Sequence, residues 1–345
     1  CGPGADDFRP ALQALAGPAV QVHWLPEAAA PPMPPVTRLQ ARADAPPLAD
    51  APRYTASFER DWSIASYSAL VRDAGRAPVE LPAARLLRED EPADDGLGAP
   101  RSAPQPWHRF PRGALAGNFL HDQLEWLAGE GFALAGDDAL RQALQRRCER
   151  QGWGHRAEDV IAWLEPVCTT PLPPLGVPLA GLHGVWPEME FWLPGDGLDA
   201  GRIDALCRQH LWPGAPRPAL PPRTLRGLLM GFADLVFEHD GRWWVLDHKS
   251  NALGARDADY DAAALQAAMC EHRYDVQAAL YLLALHRLLR ARLGAAYVPA
   301  RQLGGAVYLF LRGIPGPEAG CCTVAAPVAL VEALDALIVD EAEAP

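Results

Sequence analysis

The sequence predicts a mixed α/β domain, and three observations carry that prediction. Two strand-like apolar runs, residues 225–237 and 242–248, flank Asp240-Gly241, a pair that favours a two-residue hairpin turn. Helical periodicity then extends over residues 262–293, and a further strand-like run, 305–311, follows it. Strands interleaved with helices in this order point to a layered α/β architecture.

From the N-terminus, residues 8–16 read as a short helix and 20–24 as a strand. Residues 25–53 are dense in Pro and Ala, with Pro31, Pro32, Pro34 and Pro35 clustered, which predicts a linker. Past Trp62, Ser66 is placed to N-cap a short helix. Residues 74–106, with the acidic run Glu89-Asp90-Glu91, read as an irregular loop. Helical spacing of Phe119, Leu120, Leu124 and Leu127 predicts a helix over 118–127, with further helices over 137–151 and 157–167. Residues 188–193 alternate as a strand, 199–210 are helical, and 327–340 form a last helix. There is no internal repeat.

With 49% hydrophobic and 21% charged residues, the chain is globular and long enough for one large or two modest domains. No apolar run approaches the ~20 residues needed to span a bilayer. The first residues, Cys-Gly-Pro-Gly-Ala, carry neither an initiator Met nor a signal-peptide layout, so a piece of a longer polypeptide is expected. Seven scattered cysteines without a C-x-x-C pair argue against a disulfide framework, a Cys-rich zinc site or an iron–sulfur cluster, and for a reducing cytoplasm. The net charge of −12 argues against non-specific nucleic-acid binding by the whole surface. Of the 31 basic residues, 30 are Arg and one, Lys249, is Lys. A lone Lys in an Arg-rich chain marks a position where a compact ammonium is needed, or else survives by chance.

Counting outward from the turn, His239 faces Arg242 and Asp234 falls opposite Asp247. Opposed residues have Cβ atoms about 4.5–5.5 Å apart, where like charges repel. Lys249, two residues beyond Asp247, shares its face, as do Phe232, Val236 and Val245. Two carboxylates with an ammonium beside them, in apolar surroundings, are costly unless a cation compensates; hard oxygen ligands suit Mg²⁺ or Mn²⁺. The plain alternative is a hairpin whose carboxylates flare into solvent, with Lys249 as their salt-bridge partner.

The run Gly231-Phe232-Ala233-Asp234-Leu235-Val236-Phe237, followed by Leu246-Asp247-His248-Lys249-Ser250-Asn251, resembles the D…(D/E)-x-K core of the PD-(D/E)-x-K nuclease superfamily, and most closely its RecB-like family. Supporting segments lie in order over roughly residues 60 to 315: Trp62 with Ser66-Tyr67-Ser68, Gly117-Asn118-Phe119-Leu120-His121, Glu188-Met189-Glu190-Phe191, His272-Arg273-Tyr274-Asp275-Val276-Gln277 with Tyr281, and Gly304-Gly305 through Arg312-Gly313.

The resemblance implies a restriction-endonuclease-like mixed central sheet flanked by helices, with extra N-terminal helical segments. Residues 1–24 would be the end of a preceding helicase region, 25–53 the Pro/Ala-rich linker and 54–345 the nuclease domain. The absence of G-x-x-x-x-G-K-[ST] implies that these residues do not bind ATP. The resemblance further implies that Asp234, Asp247 and Lys249 are catalytic, and that His121, Asp234, Asp247 and the backbone carbonyl of His248 hold Mg²⁺, with Mn²⁺ as a substitute. Glu188 or Glu190 would be the acidic residue of the preceding strand. Gln277, Tyr281 and Arg273 would line or support the DNA path. An aromatic residue is expected where His248 stands.

The activity implied is hydrolysis of single- and double-stranded DNA through phosphate-backbone contacts, beside RecC- and RecD-like subunits in a bacterial cytoplasm and away from membranes. Between residues 262 and 315, Arg273, Arg287, Arg290, Arg292, Arg301 and Arg312 against Glu271 and Asp275 give a local +4, a candidate DNA-facing surface. The competing readings are a non-catalytic DNA-clamping or subunit-docking module of the same fold, and a free-standing endonuclease. Neither G-x-S-x-G nor G-x-G-x-x-G occurs, which leaves Ser hydrolases and dinucleotide-binding folds without support.

Overall fold

A computed structural model describes residues 9–17, 20–23, 62–71 and 105–342. The chain divides into two compact units, residues 1–58 and 59–345. In the first, the described residues form a short helix, α1 (Arg9–Gln13), and one antiparallel bridge between Gly17 and Val20. Over its described residues, 20–23, the strand expected over 20–24 shows only that bridge: Val20 is half exposed, so its side chain gains little burial to hold an extended segment. The linker over 25–53 lies outside the described residues, as does the loop over 74–106 up to its last two positions.

The second unit opens with β1 (Ser63–Ser66) and α2 (Tyr67–Val71), then α3 (Pro106–Arg109), α4 (Ala114–Gly129), α5 (Asp138–Arg150) and α6 (Ala157–Thr169). Next come β2 (Trp186–Pro194), α7 (Ala200–His210), β3 (Gly227–His239) and β4 (Arg242–Lys249). It closes with α8 (Ala262–Glu271), α9 (Tyr274–Leu293), α10 (Pro299–Gln302), β5 (Leu303–Phe310), β6 (Cys321–Ala325) and α11 (Val328–Ala342). Side-chain caps start several helices, the one at Ser66 as the sequence leads one to expect. Ser66 Oγ accepts the Ala69 N–H at 3.3 Å, and Asp137, Asp199 and Asp261 accept N–H groups three residues on at 2.8–2.9 Å.

The strands form one mixed sheet in the order β1-β3-β4-β5-β6, with β2 on the other edge of β3. β1 pairs with β3 in parallel and β4 with β5 in parallel; the β2–β3, β3–β4 and β5–β6 pairs are antiparallel. The sheet separates two cores. On one face Val236, Val245 and Tyr308 pack with α7, α8, α9 and α11; on the other Leu235, Phe237, Leu246 and Val307 pack with α4, α5 and α6. Helix α9 is buried on nearly every side from Tyr274 to His286, the pattern of a helix enclosed by the fold rather than lying on it.

The long helix expected over 262–293 is instead two helices. Arg273 adopts φ 60° and breaks it, because its guanidinium turns inward to pair with Asp204 at 2.7 Å and Asp275 at 3.0 Å. A left-handed non-glycine residue costs roughly 1–2 kcal/mol. Two strands were not anticipated: β1, only four residues long, and β6. The six described cysteines are all free and buried, and no described helix is long and apolar enough to cross a membrane.

Candidate metal and catalytic site

The hairpin register is the one the sequence predicts. His239 pairs with Arg242 and the ladder runs through Leu235 and Leu246. Asp240 and Gly241 both take positive φ, 51° and 71°, as a type I′ turn requires. The ladder stops one pair short of Asp234 and Asp247. Beyond it β4 follows β5, pairing Asp247 with Tyr308 and Lys249 with Phe310, while β3 follows β2. β1 rejoins the same edge of β3 only at Met230. On that edge the stretch from Gly231 to Asp234 therefore has no strand partner among the described residues, and the sheet forks there.

The fork sends the two carboxylates to different company. Asp234 Oδ2 accepts the His248 backbone N–H at 2.7 Å, and the Nδ1 atoms of His248 and His121 lie 3.1 and 3.3 Å from it. His121 comes from α4, on the core face that Leu246 also occupies. Alternation along β4 puts His248 on that face and turns Asp247 and Lys249 to the other. Burial alone would raise the Asp234 carboxyl. The charge of His121 and the hydrogen bonds from His121 and His248 outweigh it and hold the group well below the ordinary carboxylate range. Burial lowers the His248 ring against the pull of Asp234.

Asp247 and Lys249 are both buried, with Lys249 Nζ 2.8 Å from Asp247 Oδ2. The contact supplies charge without an aligned hydrogen bond to that oxygen. The ammonium lies 4.2 Å from the centre of the Tyr274 ring and 5.7 Å from that of Tyr308, two cation–π partners. Burial pushes the Asp247 carboxyl up to about 7, with Lys249 opposing and the nearby Asp234 charge adding to the rise. The chain's single lysine thus sits in a compact, aromatic-walled slot. A guanidinium fork, wider and more weakly hydrated, is a poor fit for it.

Glu188 falls across β2–β3 from Asp234, at the one interruption of that ladder, and has φ 47°. Glu190, two residues on, pairs with Phe232 and its Oε1 accepts the exposed Trp192 Nε1–H at 2.9 Å. Gln277 and Tyr281 are buried: Gln277 Nε2 donates to Tyr281 at 2.9 Å, and Tyr308 donates to Gln277 Oε1 at 3.2 Å. Together they support the β5 residue that flanks Asp247. Arg273 is fully buried in its ion pairs.

The expected basic surface is largely consumed by the fold. Arg312 is buried, with its guanidinium on the carbonyls of Ser250, Trp107, Phe110 and Pro111, and Arg287 and Arg290 pair with Asp335. Of the six, Arg292 and Arg301 are exposed and take no part in these pairings.

The residues present fit a divalent ion. His121, Asp234 and His248 bring one potential ligand atom each within 4.8 Å of one another. His248 Nε2 is also buried without a hydrogen-bond partner among the described residues, as is Asp247 Oδ2 apart from its ion pair. Imidazole and carboxylate donors of this kind are metal ligands. The His248 ring is the element that sequence reasoning missed, because that position was expected to contribute only backbone. Strand alternation was the available signal: it separates His248 from Asp247 and points it to the side of His121.

A profile of the PD-(D/E)XK nuclease superfamily matches residues 95–344. The chain is 38% identical over 282 residues to the RecBCD enzyme subunit RecB of Escherichia coli strain K12, covering 80% of this chain and 23% of that protein. It is 30% identical over 301 residues to RecB of Haemophilus influenzae, covering 83% and 24%. To RecB of Mycolicibacterium smegmatis it is 31% identical over 376 residues, covering 97% and 33%. The chain thus spans between about a quarter and a third of the length of these relatives.

Proposed function

Since the chain belongs to the PD-(D/E)XK nuclease superfamily, we propose that it hydrolyses DNA phosphodiesters with Mg²⁺, as the nuclease part of a helicase–nuclease that resects double-strand ends for recombinational repair. The observation that carries this reading is the buried Asp247–Lys249 pair set beside Asp234 and His121 at the fork of a hairpin. Asp234, Asp247 and His121 would hold the ion, with the His248 backbone carbonyl, and Mn²⁺ would substitute for Mg²⁺. When bound, such an ion lowers the pKa of water and polarises a phosphoryl oxygen.

The chain's own residues supply the rest. Lys249, steered by Asp247 and capped by the Tyr274 ring, orients the attacking water and offsets the charge that develops on the phosphate. Asp247 keeps the ammonium aimed. Gln277, Tyr281 and Tyr308 form a buried hydrogen-bonded support behind it. Register favours Glu188 over Glu190 as the acid beside Asp234. DNA contacts fall mainly on phosphates, so binding is sequence-independent and salt-sensitive. RecC- and RecD-like subunits and a preceding helicase region in the bacterial cytoplasm are the partners this reading expects, by analogy with the relatives' RecBCD assembly.

A clamping or docking module of the same fold has no use for a buried carboxylate–ammonium pair, which costs several kcal/mol of desolvation. The test is digestion of linear single- and double-stranded DNA with and without Mg²⁺, by the native chain and by Lys249→Ala. Cleavage that requires the ion and falls by roughly 10²-fold or more in the variant is expected. No cleavage, or cleavage unchanged in Lys249→Ala, would sink the reading.

A further inference from the structure

His248 stands where the family resemblance leads one to expect an aromatic ring, and its imidazole is not explained by packing alone. The side chain is almost wholly buried, with Nδ1 3.1 Å from Asp234 Oδ2 and Nε2 lacking any hydrogen-bond partner among the described residues. His121, Asp234 and His248 each bring one potential ligand atom within 4.8 Å of the others. His121 Nδ1 approaches the same carboxylate oxygen at 3.3 Å, from a different element and nearly perpendicular to the His248 ring. Three donors therefore converge on one oxygen, counting the His248 backbone N–H.

Bonds of about 2.0–2.2 Å from a first-row transition ion to imidazole nitrogen and carboxylate oxygen place neighbouring donors about 3.0–3.5 Å apart. The separations of 3.1 and 3.3 Å fall inside that interval. Mg²⁺ favours oxygen ligands and retained waters, whereas paired imidazoles favour ions such as Zn²⁺ and Fe²⁺.

We propose that the His248 imidazole is itself a metal ligand, so that His121, Asp234 and His248 form a two-imidazole, one-carboxylate set that binds a transition ion of the Zn²⁺ type more tightly than Mg²⁺. The proposal deepens the nuclease reading and rests on its assignment of His121 and Asp234 as ligands. It also makes Zn²⁺ a competitor of Mg²⁺ at this site.

One equivalent of Zn²⁺ is added to the metal-free chain, X-ray absorption counts its imidazole ligands, and chelator competition gives its dissociation constant beside that of Mg²⁺. The native chain should show two imidazoles and tighter Zn²⁺ than Mg²⁺ binding. His248→Phe should show one imidazole and Zn²⁺ affinity at least about tenfold weaker. One imidazole or none in the native chain, or Zn²⁺ held no tighter than Mg²⁺, overturns the proposal, and neither result depends on how the variant folds. Mg²⁺-dependent DNA cleavage by the native chain is measured in parallel. Cleavage with fewer than two imidazoles removes this proposal and leaves the nuclease reading. Two imidazoles without cleavage does the reverse.

Discussion

Replacing Lys249 by Met keeps the length of the side chain beneath the Tyr274 ring but removes the charge 2.8 Å from Asp247. The carboxyl is about 2% exposed and has no water to turn to. Removing one partner of a buried ion pair typically costs 3–5 kcal/mol, because the other charge is left uncompensated. Asp247 has a way out: it takes up a proton. Even with Lys249 in place, burial pushes it up to about 7, from 3.8, which corresponds to roughly 4 kcal/mol between its ionised and neutral forms. A carboxyl raised on folding binds more protons in the native state, so stability falls as pH rises from near 4 through the folded value. Without the ammonium that value climbs further, and the fall extends to higher pH. Lys249→Met should therefore lose little against the native chain at pH 6 and up to about 2 kcal/mol at pH 8.5, roughly 1.4 kcal/mol for each pH unit above 7. Urea unfolding in metal-free buffer at the two pH values measures the difference. An equal loss at both, or none at pH 8.5, would refute the uncompensated-charge argument.

Three further outcomes follow from the same structure. Gly231→Ala drives a Cβ into the Phe191 ring, so denaturant unfolding should show a loss of about 1–3 kcal/mol, with weaker Mg²⁺ binding because Asp234 lies three residues on. Arg273→Ala takes from the fully buried Asp275 one of its two guanidinium partners, leaving Arg217 at 2.6 Å, and should cost about 1–3 kcal/mol, whereas the exposed Arg292→Ala should stay within about 0.5 kcal/mol. Burial pushes the thiols of Cys148 to about 11 and of Cys168, Cys321 and Cys322 to about 12. A thiol reagent at pH 8 should leave these four unmodified in the native chain and label them in urea; rapid native labelling would contradict the packing of both cores.

Legibility in the sequence followed the range of the forces involved. The hairpin, its turn and its register came from neighbouring residues, and so did the cap at Ser66. Helices α4 to α7 and α11 lay where amphipathic spacing placed them. Strands β1 and β6 escaped notice because they are short and draw their stability from partners far along the chain, Gly227–Met230 and Gly305–Leu309. The break at Arg273 arises from a pairing with Asp204, and the disappearance of the basic face from pairings with Asp335 and with carbonyls of the 107–111 segment. Local spacing carries no trace of such contacts. In the site, Asp234, Asp247 and Lys249 were legible as a cluster through hairpin arithmetic. The grouping of the His248 ring with His121 was not, because it needs a helix and a strand brought together by tertiary packing.

The fork in the sheet resolves a conflict that the hairpin register creates. Continued by one pair, the ladder would set Asp234 against Asp247 at about 5 Å, a repulsive arrangement in a low-dielectric interior. The strands separate at that point, and the separation is supported from both sides. Gly231, with Phe191 packed against its Cα, lets β3 lie close to β2, and the parallel β5 draws β4 away through Tyr308 and Phe310. Each carboxylate then acquires cationic or donor partners of its own, His121 and His248 for Asp234 and Lys249 for Asp247, while the two remain near enough for Asp234 to raise Asp247. A tightly paired hairpin would have had no such opening, and a fully separated one would have left two independent salt bridges. The chemistry therefore depends on where the ladder ends, and that point is set by residues with no charge at all.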